Sequence, residues 1–229
     1  MRQKTAILIF ANSAKAEGLN KPFKKSTVLF NALNSQIKNK VKQTNLPYFI
    51  ITEKEQIGDT FGSRFTNAIQ FVFNKGFDNI ITVGNDTPHL QKKHILEANR
   101  KLKSNNNSLV LGPSQDGGFY LMAIKKSLFN SKDFLNLPWQ TASLNNRILK
   151  LIGLKKVKIS LLESLIDIDS TKDASTILNS FRNLPVLIKN ILFQIIASAK
   201  TIANFQFQFF KTIKNTSNYN KGSPFIFST

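Results

Sequence analysis

Asp86 is the residue of this chain that is best placed to do chemistry. It lies in the segment Gly84-Asn85-Asp86-Thr87-Pro88, directly after the apolar run Ile80–Val83. An acidic residue at the end of a buried strand points into the crevice where open α/β sheets bind ligands. Such a carboxylate can bind Mg²⁺ or Mn²⁺, and the metal would neutralise the charge that grows on a leaving diphosphate. The alternative is that Asp86 only caps the following helix.

A second candidate, Asp116, lies in the segment Gly112–Tyr120 between two apolar runs. The glycines after it, Gly117 and Gly118, allow positive φ angles and close approach of a ligand to the backbone. Asp116 can accept a proton from an acceptor hydroxyl. The alternative is a tight Asp-Gly turn between two strands that binds nothing.

A third acidic segment is Asp167-Ile168-Asp169-Ser170. Alternate residues of a strand face the same side, so both carboxylates can point one way and Asp169 can complete a metal site. The alternative is a strand end at which Asp169 or Ser170 caps a helix starting near Thr171.

Trp139 is the only tryptophan, in the segment Pro138-Trp139-Gln140-Thr141. An indole in a loop beside a crevice suits a sugar or a base, although a core position is the more common outcome. Other chemistries are excluded or weakened by composition. The chain has no cysteine, its two histidines are five residues apart, and it has no Walker A or G-x-G-x-x-G loop.

Short apolar runs alternate with amphipathic segments along the chain, which predicts an α/β fold with a mostly parallel, doubly wound sheet. We expect a polar loop from Asn12 to Lys25, between the first strand and the first helix. The predicted helices cover about residues 26–44, 64–75 and 91–103. The predicted strands are Ala6–Phe10, Leu46–Ile51, Ile80–Val83, Ser108–Leu111 and Phe119–Ile124.

The 229 residues suit one α/β domain, residues 1–183, with an appendage at residues 184–229. The apolar run Ala6–Ala11 is too short for a signal-peptide core, and no stretch of eighteen residues lacks charged or strongly polar groups. We therefore expect a cytoplasmic protein.

The formal charge of +19 has three interpretations. It can serve nucleic-acid binding, attraction to an anionic membrane, or a solvated lysine-rich surface that favours anionic substrates. The lysines are spread along the chain and no nucleic-acid motif is present. We therefore expect no nucleic-acid partner, rank the solvated surface first and place the membrane second.

Residues 184–213 form an apolar segment with a polar stripe at helical spacing, which predicts an amphipathic helix. Its apolar face can pack on the domain, on a second subunit or on lipid at the inner face of the membrane. From Leu184 onward there are five lysines and no acidic residue, which favours anionic lipid. The lysines within the helix form one line, so we place packing slightly ahead.

Taken together and in order, five segments resemble a bacterial family of GT-A-like proteins of unknown function, the radical SAM/selenodomain-associated transferase 1 type. The resemblance covers about residues 5–180. The matching segments are Gln56 with Gly58, Gly62 and Arg64; Gly84–Pro88; Leu111–Pro113 with Asp116–Leu121; Pro138–Thr141; and Asp167–Ser170.

This family lies within the nucleotide-diphospho-sugar transferase superfamily, so the resemblance implies a Rossmann-like GT-A fold. It implies Mg²⁺ or Mn²⁺ at Asp86 and Asp169. It further implies a nucleotide or nucleotide-sugar ligand held by Lys21, Arg64 and Asn85. On the acceptor side it implies Asp116 as the catalytic residue, with substrate contacts at Gly117, Gly118, Trp139 and Thr141.

One loop departs from the family pattern. Members carry Gly-x-Val-Lys-Thr-Arg-Leu after the first strand, whereas this chain has Gly18–Phe23, with Lys21 at the lysine position and Phe23 at the arginine position. Phe23 carries no charge, and Lys21 alone cannot copy the planar two-pronged contact that an arginine makes with phosphate.

Three functions follow as hypotheses. The first is a metal-dependent glycosyltransferase that uses a nucleotide-sugar donor and an unidentified acceptor. The second is a nucleotidyltransferase acting on a phosphorylated small molecule, which ranks lower because residues 12–23 hold only one glycine. The third is a catalytically degenerate nucleotide-binding homologue, which the altered Gly18–Phe23 loop suggests.

Overall fold

A computed structural model describes residues 4–21, 23–104, 108–153 and 158–199. The strands in these ranges form one sheet. They are β1 (Thr5–Phe10), β2 (Tyr48–Ile51), β3 (Asn79–Val83), β4 (Ser108–Pro113), β5 (Phe119–Lys125) and β6 (Lys158–Leu161), in the order β2-β1-β3-β5-β4-β6. This confirms the predicted α/β class and its mostly parallel sheet.

Helices cover both faces of the sheet. They are α1 (Ala14–Asn20), α2 (Ser26–Lys42), α3 (Phe61–Asn74), α4 (Lys92–Ser104), α5 (Ser131–Leu135), α6 (Leu144–Gly153), α7 (Thr171–Asn179) and α8 (186–199). A short 3₁₀ turn, Lys126–Leu128, follows β5.

One strand runs against the others in this mostly parallel sheet. β5 pairs antiparallel with both β3 and β4, while the remaining pairs are parallel. The cause is the length of the connection. Only residues 114–118 separate β4 from β5, and a parallel crossover needs a dozen residues or more.

The polar segment 12–25 is also not a plain loop. It contains α1, which begins after Ser13, whose hydroxyl accepts a hydrogen bond from the backbone N–H of Ala16 at 3.3 Å. Glu17 lies in the first turn, where a negative charge is favourable. The seven residues of α1 have no apolar period, so the sequence gave no pattern that would predict this helix.

The core lies on both faces of the central strands, and β1 and β3 are almost entirely buried. On one face, α3 contributes Phe65, Ile69 and Phe73, the four-residue repeat that predicted this helix. The other face is covered by apolar residues of α2 and α4. Burial on both faces explains why these strands are continuous apolar runs.

Helix α8 packs one face on its own domain. Its inward side chains, Ile188, Ile191, Leu192 and Ile195, join a buried cluster with residues of α2 and α7. The opposite face leaves Val186, Leu187 and Phe193 exposed. The predicted helix therefore exists over 186–199, and residues 200–213 of the predicted segment lie outside the described residues.

Lipid contact through the exposed face of α8 and the domain division after residue 183 stay predictions. In the described part of the chain, no helix is both long and apolar enough to span a membrane.

Glu163, which follows β6, links Arg182 near the start of α8 to His94 of α4. Its carboxylate accepts hydrogen bonds from Arg182 Nη1 and His94 Nε2, both at 2.6 Å. His94 Nδ1 accepts from the backbone N–H of Gln91, so the other ring nitrogen carries the proton in neutral His94. Arg182, and to a lesser extent His94, lower the pKa of Glu163 to about 2.

Two neighbouring residues of α8 test its packing. Leu192 is fully buried and Phe193 is 54% exposed. We expect Leu192→Ala to lower the free energy of unfolding by about 2–5 kcal/mol because it opens a cavity. Phe193→Ala should change it by less than about 0.5 kcal/mol. Urea denaturation of both variants measures the difference, and equal losses would contradict this placement of the helix.

The same pair separates packing from lipid contact. If the exposed face meets anionic lipid, Phe193→Ala should reduce co-sedimentation with anionic vesicles while the variant stays folded. A wild-type chain that stays in the supernatant with such vesicles would reject the lipid contact.

Candidate functional site

A cavity of about 630 Å³ opens at the carboxyl ends of β1 and β3 and at the start of β5. From β1 the chain continues toward β2 at one edge of the sheet, and from β3 it continues toward β4 near the other edge, so the cavity lies at the usual ligand position in such sheets. Its size is that of a small-molecule site. Five of the chain's 13 acidic residues line it, namely Glu17, Asp86, Asp116, Asp167 and Asp169.

The segment after β3 and the segment before α7 run side by side in this cavity. The backbone N–H of Ile168 donates to the carbonyl of Asp86 at 2.9 Å, and the Thr87 hydroxyl donates to the carboxylate of Asp167. This pairing brings Asp86 and Asp169 to the same edge. Asp86 does not cap α4, which begins only at Lys92.

The Asp167–Ser170 segment is not a strand, so the alternation argument for it was wrong. Ser170 caps α7 in a reciprocal capping box with Asp173. The side chain of Asp169 remains in the cavity rather than acting as the cap. The helix-cap alternative therefore holds for Ser170, and a metal role for Asp169 stays a prediction.

Lys21 connects the two aspartates. Its ammonium lies 2.8 Å from Asp169 Oδ1 and 3.1 Å from Asp86 Oδ2. It also donates to the Ile168 carbonyl at 3.2 Å and lies 4.9 Å from the centre of the Phe30 ring. Burial alone would lower the pKa of Lys21, but Asp86 and Asp169 outweigh it and raise that pKa.

A buried polar network supports the loop after β1. Asn12 donates to Glu17 at 3.1 Å, and Asn85 donates to the side-chain oxygen of Asn34 at 2.7 Å. Glu17 is only 7% exposed, and this burial raises its pKa. Asn85, expected to contact nucleotide, thus uses its amide to hold this network, and a nucleotide contact for it stays a prediction.

Asp167 also lines the cavity, and it is less exposed than Asp116 and Asp169. Burial, and then the charge of Asp86, raise its pKa well above the usual range. This carboxyl therefore holds a proton more tightly than an exposed aspartate does. It was recognised in the sequence as a partner of Asp169 but was not included among the expected site residues.

Asp116 lies in the turn between β4 and β5. Its carboxylate accepts the backbone N–H of Gly118 at 2.9 Å, and Gly117 has a φ of 95°. A side chain at Gly117 would collide with the backbone of Ala142, so the turn requires glycine. The segment is therefore a tight turn between two strands, from which Asp116 and Gly118 line the cavity, and a catalytic role for Asp116 stays a prediction.

An aromatic wall closes the side of the cavity formed by α3 and β5. Trp139 packs among phenylalanines, with ring centres 5.2 Å from Phe65 and 5.6 Å from Phe61. Its indole N–H donates to the Phe134 carbonyl at 2.7 Å. Trp139 is thus a packed aromatic residue that also lines the cavity, and a substrate contact for it stays a prediction.

Arg64 and Thr141 complete the lining near this wall. Arg64 lies in the first turn of α3 and donates to the Asp59 carbonyl at 3.2 Å. Thr141 is exposed, and its hydroxyl contacts the Pro138 carbonyl and Ser143.

The residues fit a divalent cation as a two-carboxylate site. Asp86 and Asp169 converge on one point, and oxygen ligands suit Mg²⁺ and Mn²⁺. The described residues contain no group of three or more acidic or histidine side chains placed to hold a metal. Phosphate and water oxygens would supply the remaining ligands, as they commonly do for Mg²⁺.

Several residues that contribute to this site were not predicted from the sequence. Glu17 lies in a helix that was not predicted and Asn12 lies beside it, whereas Asn34 lies in the predicted helix α2, where a polar residue is not unusual. The phenylalanines of the wall belong to strands and helices whose apolar pattern indicated only a core. Their proximity to the site depends on tertiary packing and has no local signal.

The six-stranded, mostly parallel sheet with helices on both faces is that of a GT-A-like α/β fold, and comparison with solved structures agrees. A crystal structure from Desulfovibrio desulfuricans G20, provisionally described as a nucleotide-diphospho-sugar transferase, superposes with a TM-score of 0.72 and 19% identity. It covers 86% of this chain and 98% of that chain. This similarity shows the fold.

More distant structures superpose less closely. A cytidylyltransferase from Leptospira borgpetersenii serovar Hardjo-bovis has a TM-score of 0.45 and 13% identity, over 98% of this chain and 100% of that one. A manganese complex of Rv0371C from Mycobacterium tuberculosis H37Rv has a TM-score of 0.45 and 11% identity, over 78% and 100%.

Residues 28–141 match a family described as an uncharacterized protein conserved in bacteria, DUF2064. This match confirms the resemblance to a GT-A-like bacterial family of unknown function that the ordered segments indicated. It includes Arg64, Asp86, Asp116 and Trp139, while Lys21 and Asp169 lie outside it. No curated protein sequence matches the chain.

Gly62 tests the wall around the single tryptophan. An added Cβ would lie 2.3 Å from the Trp139 ring. Alanine in a helix gains about 1 kcal/mol over glycine, but overpacking a rigid ring costs about 1–3 kcal/mol. We expect Gly62→Ala to lower the melting temperature and to shift the fluorescence of Trp139.

Gly76→Ala is the matched control. Gly76 has a φ of 87° and open space around it, so alanine there strains the backbone without touching the indole. It should lower stability and leave the emission spectrum unchanged. Unaltered emission in Gly62→Ala would show that the ring does not abut Gly62.

Proposed function

We propose that this protein is a metal-dependent glycosyltransferase that takes a nucleoside-diphosphate sugar as donor. The observation that carries the proposal is the gathering of five carboxylates in one cavity of a chain with a net charge of +19. Like charges placed together in a partly buried site raise the energy of the empty site. A ligand that brings positive charge relieves this repulsion.

The negative charge of the cavity favours a nucleotide that binds together with a metal ion. Among the described residues that line the cavity, five carboxylates face two basic residues, Lys21 and Arg64. A diphosphate alone would be repelled by this excess of negative charge. Together with Mg²⁺ or Mn²⁺ it would be attracted, which supports a nucleotide bound as its metal complex.

Asp86 and Asp169 would hold the metal, which when bound neutralises charge on the diphosphate. Arg64 would bind phosphate or nucleoside, since its guanidinium forms two parallel hydrogen bonds with such groups. Lys21 would contact phosphate from the opposite side. The aromatic wall would keep water from this half of the cavity.

Asp116 is the candidate general base. It is exposed at the cavity mouth, and its carboxylate is held by the N–H of Gly118. The acceptor hydroxyl oxygen would bond to the anomeric carbon while the bond from that carbon to the diphosphate breaks. The hydroxyl proton would pass to Asp116, and the diphosphate would leave with the electron pair. Trp139 and Thr141 would contact the acceptor.

Binding of donors tests this proposal directly. With Mn²⁺ and a panel of UDP-, GDP- and CDP-sugars, a donor at a hundred times its dissociation constant should add about 2.7 kcal/mol of stability. Asp86→Asn removes the charge of the metal ligand and should abolish this Mn²⁺-dependent shift in melting temperature. Asp133→Asn, outside the cavity, should keep it.

Three outcomes would count against the proposal. Equal nucleotide affinity in the wild type and Asp86→Asn would rule out a metal role for Asp86. Release of pyrophosphate from a nucleoside triphosphate in the presence of a sugar phosphate would assign the protein to the nucleotidyltransferases instead. A chain that binds neither metal nor nucleotide would be a degenerate homologue.

A further inference from the structure

The ammonium of Lys21 is fully engaged by the protein. An ammonium group has three N–H donors. Three protein oxygens lie within hydrogen-bond distance of it, at 2.8 Å for Asp169, 3.1 Å for Asp86 and 3.2 Å for the Ile168 carbonyl. No donor is left for a phosphate while these contacts persist.

The same ammonium occupies the point on which the two carboxylates converge. A divalent cation bound by Asp86 and Asp169 would take that position, and two cations cannot share it. The metal and Lys21 therefore compete for the same pair of carboxylates.

The exposure of the partners makes an exchange feasible. The side chain of Lys21 is 16% exposed, whereas those of Asp86 and Asp169 are 32% and 55% exposed. Ion pairs with a partner this accessible to water are worth little. Solvent can reach the carboxylates while Lys21 turns on its flexible four-carbon stem. Glu17, 4.0 Å away, stays within reach of the released ammonium.

We propose that Lys21 is an internal counter-ion whose ammonium occupies the metal position until the metal and the nucleotide bind together. The metal takes Asp86 and Asp169, and the released ammonium moves to a phosphate of the nucleotide. This inference rests on the metal role of the two aspartates in the proposed function. It deepens that function by assigning an order to ligand binding.

Coupling between the two ligands follows from this exchange. Metal alone must displace the ammonium and leave it without a phosphate partner, so metal alone binds weakly. Nucleotide supplies that partner and strengthens metal binding, and by linkage metal strengthens nucleotide binding by the same factor.

Mn²⁺ alone is the probe that tests the proposal, because free Mn²⁺ gives an electron paramagnetic resonance signal that bound Mn²⁺ loses. We expect Lys21→Met to bind Mn²⁺ about tenfold more tightly than the wild type in the absence of nucleotide, since no ammonium has to be displaced. Lys24→Met, an exposed neighbour, should match the wild type. Trp139 emission verifies that each variant is folded.

If Lys21→Met does not fold, Lys21→Gln removes the charge and keeps a side chain that donates hydrogen bonds. Equal or weaker Mn²⁺ binding in the folded Lys21 variant, with the wild type binding Mn²⁺, would overturn the counter-ion role and leave the proposed function standing. Absence of Mn²⁺ binding in both chains at millimolar concentration would overturn the metal role and this inference together.

Discussion

The ammonium of Lys21, set between Asp86 and Asp169, is the interaction on which the candidate site depends. It joins three parts of the chain that are far apart in sequence, namely the end of α1, the segment after β3 and the segment before α7. Without a cation at this point, carboxylates would face each other across a partly buried cavity, which is unfavourable. The site therefore needs a positive charge in every state, and the identity of that charge becomes the functional question.

The fold provides a rigid frame for this charge balance. β1 and β3 are buried on both faces, so the residues directly after them leave the sheet at fixed positions. The backbone bond from Ile168 to Asp86 then sets the second acidic segment against the first. The short turn after β4 forces β5 to run antiparallel and places Asp116 at the same edge. Apolar packing supports a cluster of acidic groups that contributes little stability itself.

Much of this arrangement could be predicted from local pattern. Asp86 follows a buried strand, and the position of ligands in α/β sheets identified it. Asp116 was predicted from its glycines, and the ordered segments indicated the fold and family. Prediction failed where tertiary contacts determine which residues reach the site. α1 has no apolar period, so Glu17 went unnoticed, and Asp169 reached the site from an irregular segment rather than the predicted strand. The contact of Lys21 with Asp169 joins residues 148 positions apart, and no local pattern encodes it.

A crystal structure with Mn²⁺ and a nucleoside-diphosphate sugar tests the central claim most directly, because anomalous scattering locates the manganese independently of the protein. The account predicts a manganese peak within coordination distance of both Asp86 and Asp169. It also predicts that Lys21 Nζ has left these carboxylates and contacts a phosphate oxygen of the donor. A bound nucleotide with no manganese at this point, and Lys21 still between the two aspartates, would contradict it.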